Sequence, residues 1–215
     1  MPTKINEDML RIACSIPEVR RLSDLENRRL YLYGEISGIE DGEGDLSCAS
    51  NTGGLIEHIF NINREDQEAG LSSNDRKPIV LYINSPGGDL NEGFALIDAI
   101  ELSKTPVWTV NVGQWSSMSF LIGITGHRRF SLPHATFLLH DGASGAYGST
   151  NKVQDRVKFE ERYENEVIKP HVLFHSKMEA IDYDALARVE YYMLPQDAKR
   201  RGFIDEIVAD IDTIL

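Results

Sequence analysis

Cysteine is scarce in this chain: Cys14 and Cys48 are the only two. Two thiols so far apart make neither a disulfide framework nor a CxxC metal site, and a reducing cytoplasm is the simplest expected location. No run approaches the roughly 18 apolar residues that a membrane-spanning helix requires. The first residues, Met-Pro-Thr-Lys-Ile-Asn-Glu-Asp, lack a basic segment followed by an apolar one, so no signal peptide is expected. Positive charge is short as well: 22 Lys and Arg stand against 34 Asp and Glu, a net charge of −12. An acidic surface argues against a nucleic-acid backbone or an anionic lipid as main partner. No GxxxxGK[ST] loop occurs, which argues against nucleotide hydrolysis by this chain.

What is present is an ordinary globular mixture of 215 residues, 41% hydrophobic and 26% charged. That suits one α/β domain with a substantial core. Residues 1–28 read as an N-terminal arm and 29–215 as a single domain. Leu30–Gly34 reads as a short strand and Ile39–Ser50, rich in Gly, Asp, Glu and Ser, as a loop. Gly54–Asn63 has helical spacing, and Arg64–Lys77 is polar enough to be a second loop.

Pro78-Ile-Val-Leu-Tyr-Ile83 is a continuous apolar run, the pattern of a buried parallel strand. Asn84-Ser-Pro-Gly-Gly88 breaks it, and Asp89 is placed to cap a helix carrying Leu90, Phe94, Ile97 and Ile100. Pro106–Val112 predicts the next strand. Gly113-Gln-Trp-Ser-Ser predicts a tight turn into a helix from Met118 to about Thr125. Short strands follow near 129–132 and 136–140. Repeated strand–helix alternation predicts a mostly parallel sheet with helices packed on it. A long charged helix is expected over about 151–176, with Val153, Val157, Tyr163 and Val167 at helical spacing and Pro170 expected to kink or divide it. It suits either a solvated outer face or an assembly element. Gln196–Arg201 reads as a short helix and Phe203–Val208 as a last strand.

Three positions could carry chemistry. Ser117 follows a strand and opens a helix, where unpaired N–H groups and a partial positive charge gather. That is the logic of a nucleophile elbow, although GQWSS is not GxSxG; taken alone, Ser116 and Ser117 are better read as simple helix caps. Gly87-Gly88 sits between strand and helix, where backbone N–H groups can face an anion; alone, it is a turn that needs positive φ. His140 ends an apolar strand and is of the type that serves as a general base. The remaining histidines show no metal spacing. His171 and His175 are four apart but no HExxH accompanies them, so no metal is expected and no cofactor.

Taken in order, Leu81-Tyr-Ile-Asn-Ser-Pro-Gly-Gly88, Gly113-Gln-Trp-Ser-Ser-Met118, Arg129-Phe-Ser-Leu-Pro133 and Phe137-Leu-Leu-His140 resemble the Clp protease proteolytic subunit family. Asp197-Ala-Lys-Arg-Arg-Gly-Phe-Ile-Asp205 resembles that family's ending. The likeness spans about Leu30–Val208, is dense over Pro78–His140, and looks closer to the divergent, phage-type branch, given the extra stretch Ile39–Lys77.

The resemblance implies a ClpP/crotonase-type repeated ββα spiral with a long protruding helix. It implies Ser117 as nucleophile, His140 as its base, and the backbone N–H groups of Gly88 and Met118 as oxyanion hole. The third member departs from the family pattern: an ungapped count from the tail lands on Leu186. Glu190, before Tyr191-Tyr-Met, is the favoured carboxylate, with Asp184 next and Asp182 also near; it is also possible that none serves. The family further implies self-assembly into stacked rings through the long helix, substrate polypeptide bound along Gly142–Gly148, and a separate unfoldase ATPase. The alternatives are a noncatalytic ring subunit, an acyl-CoA enzyme of the crotonase fold, and a Ser–Lys peptidase using Lys152 or Lys158.

Overall fold

The computed structural model describes residues 27–37, 52–142, 145 and 147–215. The expected loop Ile39–Ser50 and most of the arm over 1–28 lie outside the described residues.

A seven-stranded sheet organises the chain, in the order β1-β2-β3-β4-β7. Its strands are β1 (Arg29–Tyr33), β2 (Ile79–Ser85), β3 (Val107–Ser116), β4 (Arg128–Ser131), β5 (Thr136–Leu139), β6 (Tyr191–Met193) and β7 (Glu206–Ile207). All pairings are parallel except β5 with β6. The helices are α1 (Thr52–Glu68), α2 (Leu90–Glu101), α3 (Met118–Ile124), α4 (Thr150–Tyr163), α5 (Lys169–Phe174), α6 (Ala180–Leu186) and α7 (Pro195–Arg200). A mixed α/β fold with a mainly parallel sheet is therefore established.

Both faces of the sheet are covered, which explains the unbroken apolar run of β2. Successive strand residues point to opposite sides. Ile79, Leu81 and Ile83 join the large core beneath the helices, with Leu32, Trp115, Phe120 and Phe137. Val80 and Tyr82 join a smaller core on the other face with Val110, Phe130, Val208 and Ile214. The chain end is tied there by a hydrogen bond from the Tyr82 hydroxyl to the Ile214 carbonyl, 2.5 Å.

β3 is longer than its sequence pattern predicts, and the extra length positions the site. Its first half pairs with β4 through Trp108–Asn111; its last residues pair with β5 through Gln114–Ser116. Asn111 marks the changeover, its side chain donating to the Thr136 carbonyl at 2.9 Å and accepting from Gly113 N at 3.1 Å. The expected turn at Gly113 is thus a correction: the strand runs on to Ser116. Gly113 instead lets the Asn84 side chain approach closely: a Cβ there would lie 2.4 Å from Asn84 Oδ1 and would displace it.

Other expectations also shift. α1 continues through Glu68, into the stretch read as loop, because Asp66 on its inner side is buried against Arg28 and Thr105. The last strand shortens to Glu206–Ile207. Near Pro170 the helical column falls into three consecutive segments. A π-helical turn over Glu164–Ile168 joins α4 to α5, with the proline in the first turn of α5, where its missing N–H and its ring are tolerated. Asp89 caps α2 as expected, its carboxylate accepting from Asn91 N and Glu92 N at 2.8 and 3.0 Å.

Candidate active site

β3 ends at Ser116, and the chain turns on Ser117 itself. Ser117 has φ 55° and ψ −126°, a conformation a non-glycine residue adopts only when its surroundings impose it, at a cost of about 1–3 kcal/mol. Its N–H is fixed to the Leu138 carbonyl at 3.0 Å, continuing the β3–β5 pairing one residue further. Its side chain makes no capping hydrogen bond to α3. Ser119 takes the polar positions instead, accepting from Ser116 N at 2.8 Å and lying 2.7 Å from the Ser85 carbonyl. The cap reading of Ser117 therefore fails on geometry, and its hydroxyl is left for other use.

The glycine turn lies directly against this corner. Gly87 and Gly88 have φ 98° and 147°. A Cβ on Gly87 would sit 2.7 Å from the Ser117 Cβ and 2.9 Å from the Met118 nitrogen. A Cβ on Gly88 would sit 2.0 Å from the Ile36 carbonyl oxygen. Side chains are excluded at both positions by sterics as well as by φ. Ile36 pins the turn: it donates to the Gly87 carbonyl and accepts from Asp89 N, each at 2.8 Å. In that parallel bridge the N–H of Gly88 faces away from Ile36. Met118 opens α3, so its N–H has no partner in the helix ladder. Two backbone donors and the positive end of a helix thus meet beside Ser117.

His140 and Glu190 are brought together by register. In the antiparallel pair, Leu139 faces Tyr191, so the next positions outward are His140 and Glu190. His140 Nδ1 lies 3.0 Å from Glu190 Oε1. A carboxylate only accepts, so Nδ1 carries the proton and Nε2 presents its lone pair. Nε2 is buried and has no hydrogen-bond partner among the described residues. No hydrogen bond joins it to Ser117, although the two residues leave adjacent strands. The other candidate carboxylates are engaged elsewhere: Asp184 with Lys169 at 2.5 Å, and Asp182 with Arg201 at 4.0 Å. Leu186 ends α6.

Tyr192 is a site residue the sequence reading missed. Its hydroxyl donates to Glu190 Oε2 at 3.2 Å, and the hydrogen bond and charge of Glu190 raise its pKa above the ordinary phenol value. Residues two apart on a strand share a face, so Glu-x-Tyr at 190–192 was the available signal. Ile36 was likewise invisible, since only the fold carries it to Gly88. The expected peptide-binding stretch Gly142–Gly148 falls partly on residues 143, 144 and 146, which lie outside the described residues.

The mainly parallel α/β domain thus sets a strained serine at a strand end beside a glycine turn and a helix start. The sequence model of the family described as Clp protease matches residues 69–210, more than half of the chain. The chain belongs to the Clp protease family. β1 and all of α1 precede the matched span. Among the described residues, no helix is long and apolar enough to cross a membrane.

Proposed function

We propose that the chain is a serine endopeptidase of the ClpP type that cleaves unfolded polypeptides within a ring-shaped homo-oligomer. The observation that carries this reading is the His140 Nδ1–Glu190 contact at 3.0 Å, one strand away from a serine held at positive φ. Ser117 Oγ attacks the scissile carbonyl while His140 Nε2 takes its proton. Glu190 holds the imidazole in the required tautomer and stabilises the imidazolium. The N–H groups of Gly88 and Met118 receive the oxyanion; losing one such donor typically costs about 10²–10³ in rate. Collapse of the tetrahedral intermediate expels the amine, which takes the proton from His140. Water, activated by the same imidazole, then releases the acyl group from Ser117. The Ser117–His140 hydrogen bond is to form when peptide or neighbouring subunits close the site, as catalytic hydrogen bonds often tighten in complexes.

Assembly is argued from the helical column over Thr150–Phe174. No residue of α4 is buried, and Val157 and Phe159 lie 45% and 53% exposed. In this reading residues 29–215 act as one domain, 1–28 form an arm, and a separate unfoldase ATPase delivers folded substrates.

Labelling with a fluorophosphonate, read by peptide mass, tests the reading. A single adduct on Ser117, absent in Ser117→Ala, is expected. An intact, assembled protein that forms no adduct would instead favour the noncatalytic ring subunit, a reading to which the missing Ser117–His140 bond lends support.

A further inference from the structure

His171 lies within α5 and His175 caps its C-terminal end, one helical turn further on. Glu101 is the last residue of α2, whose Phe94 ring packs edge-on against the His171 ring, centroids 5.9 Å apart. Across this junction Glu101 Oε1 lies 2.9 Å from His175 Nε2 and 3.5 Å from His171 Nδ1. All three potential ligand atoms lie within 4.8 Å of one another. The two histidine side chains are 8% and 14% exposed, whereas Glu101 is 40% exposed and opens the cluster to solvent.

The tautomer of His171 is fixed from behind. Its Nε2 lies 3.2 Å from the Leu121 carbonyl and 3.2 Å from Thr125 Oγ1. The Thr125 hydroxyl already donates to the same carbonyl at 2.8 Å, so both oxygens are acceptors toward the ring. Nε2 therefore carries the proton, and Nδ1 presents a lone pair to Glu101. A lone pair and a carboxylate oxygen 3.5 Å apart repel unless a cation sits between them. A backbone carbonyl on the far nitrogen of an imidazole is the usual outer support of a metal-bound histidine. Tetrahedral zinc with bonds of about 2.0–2.1 Å sets neighbouring ligand atoms about 3.3 Å apart, close to the 3.5 Å between Glu101 and His171 and longer than the 2.9 Å to His175, which opens slightly on binding.

We infer that His171 Nδ1, His175 Nε2 and the Glu101 carboxylate form a binding site for a divalent transition metal of the zinc type, completed by water. The metal joins the end of α2 to the end of the helical column. Through His171, whose Nε2 meets the Leu121 carbonyl, it is linked to α3, whose first residue follows Ser117, and it is separate from the Ser117–His140–Glu190 group. The inference does not depend on that group being catalytic.

The full chain, freed of any affinity tag and stripped with chelator, is titrated with zinc chloride by calorimetry, with cobalt(II) as a spectroscopic substitute. Expected are one zinc per chain, a tetrahedral cobalt spectrum, and a melting midpoint raised by about 5–10 °C at a hundredfold excess over Kd. Glu101→Gln and His175→Gln should each weaken binding at least tenfold while melting as the stripped parent does. His171→Ala removes a buried ring, so the two conservative variants decide the matter. Unchanged zinc affinity in both, or no binding by the parent, would overturn the site and leave a hydrogen-bonded trio.

Discussion

Around Ser117, the framework side chains Trp115, Met118, Phe120 and Phe137 are at most 1% exposed. Along α4, no residue is buried at all, and two i,i+4 ion pairs, Arg156–Glu160 and Arg162–Glu166, decorate the surface. The first region takes its shape from burial: strand register, close glycine contacts and a strained serine are all imposed by packed neighbours. The second takes its helical form from local propensity and exposed pairs worth only a few tenths of a kcal/mol each, and among the described residues Val157 and Phe159 stay about half exposed. A strained backbone persists only in the first kind of setting. An exposed apolar stripe acquires purpose only from another molecule.

Substitutions can break or sharpen that contrast. The largest effect is expected from Glu190→Gln, which keeps shape but removes the charge that fixes His140; peptide turnover should fall about 10³–10⁴-fold with folding unchanged. Turnover equal to the parent's would remove Glu190 from the site. Next comes Phe120→Ala, which empties part of the packed region against Phe203, whose ring centroid lies 4.9 Å away. It should cost about 3–5 kcal/mol in chemical denaturation.

A pH titration of stability probes the edge of the sheet region. Asp66 is buried and bonded to Arg28 at 2.5 Å and to Thr105 at 2.7 Å, and chiefly the Arg28 hydrogen bond holds its carboxyl below the usual value. A lowered native value means the folded state binds the proton more weakly. This stabilisation is therefore complete above about pH 4 and drains away as the pH falls through the native value. Asp66→Asn should be less stable at neutral pH and lose that part of the acid dependence. The smallest effect on the isolated chain is expected from Phe159→Ala, within about 0.5 kcal/mol. The same change should shift sedimentation toward smaller particles if the column mediates assembly, whereas Phe120→Ala acts on folding first.

The same contrast decides what could be read from sequence. Pro78–Ile83 announced a strand covered on both faces, and Asp89 announced its helix cap, because burial and capping act over a few residues. Gly113 misled: its glycine answers to the side chain of Asn84, twenty-nine positions away, and the turn it suggested is made by Ser117. The position of Glu190 opposite His140 depends on one antiparallel pairing in an otherwise parallel sheet, and an ungapped count fell on Leu186 instead. Glu101 carries no local mark of its proximity to His171 and His175, since only the packing of α2 beside α5 brings them together.

The π-helical turn at Glu164–Ile168 has a consequence for the phase of the helical column. An α-helix advances about 100° per residue, so one residue taken up in a wider turn rotates everything beyond it by about that angle. Side chains before the turn, such as Val157, and those after it, such as the buried Val172, therefore obey different face assignments although their segments follow one another directly. The column behaves as two helical wheels mounted on a common axle. Removing a single residue between 164 and 168 would realign the wheels, and would turn His171 and His175 away from Glu101 without touching any of the three.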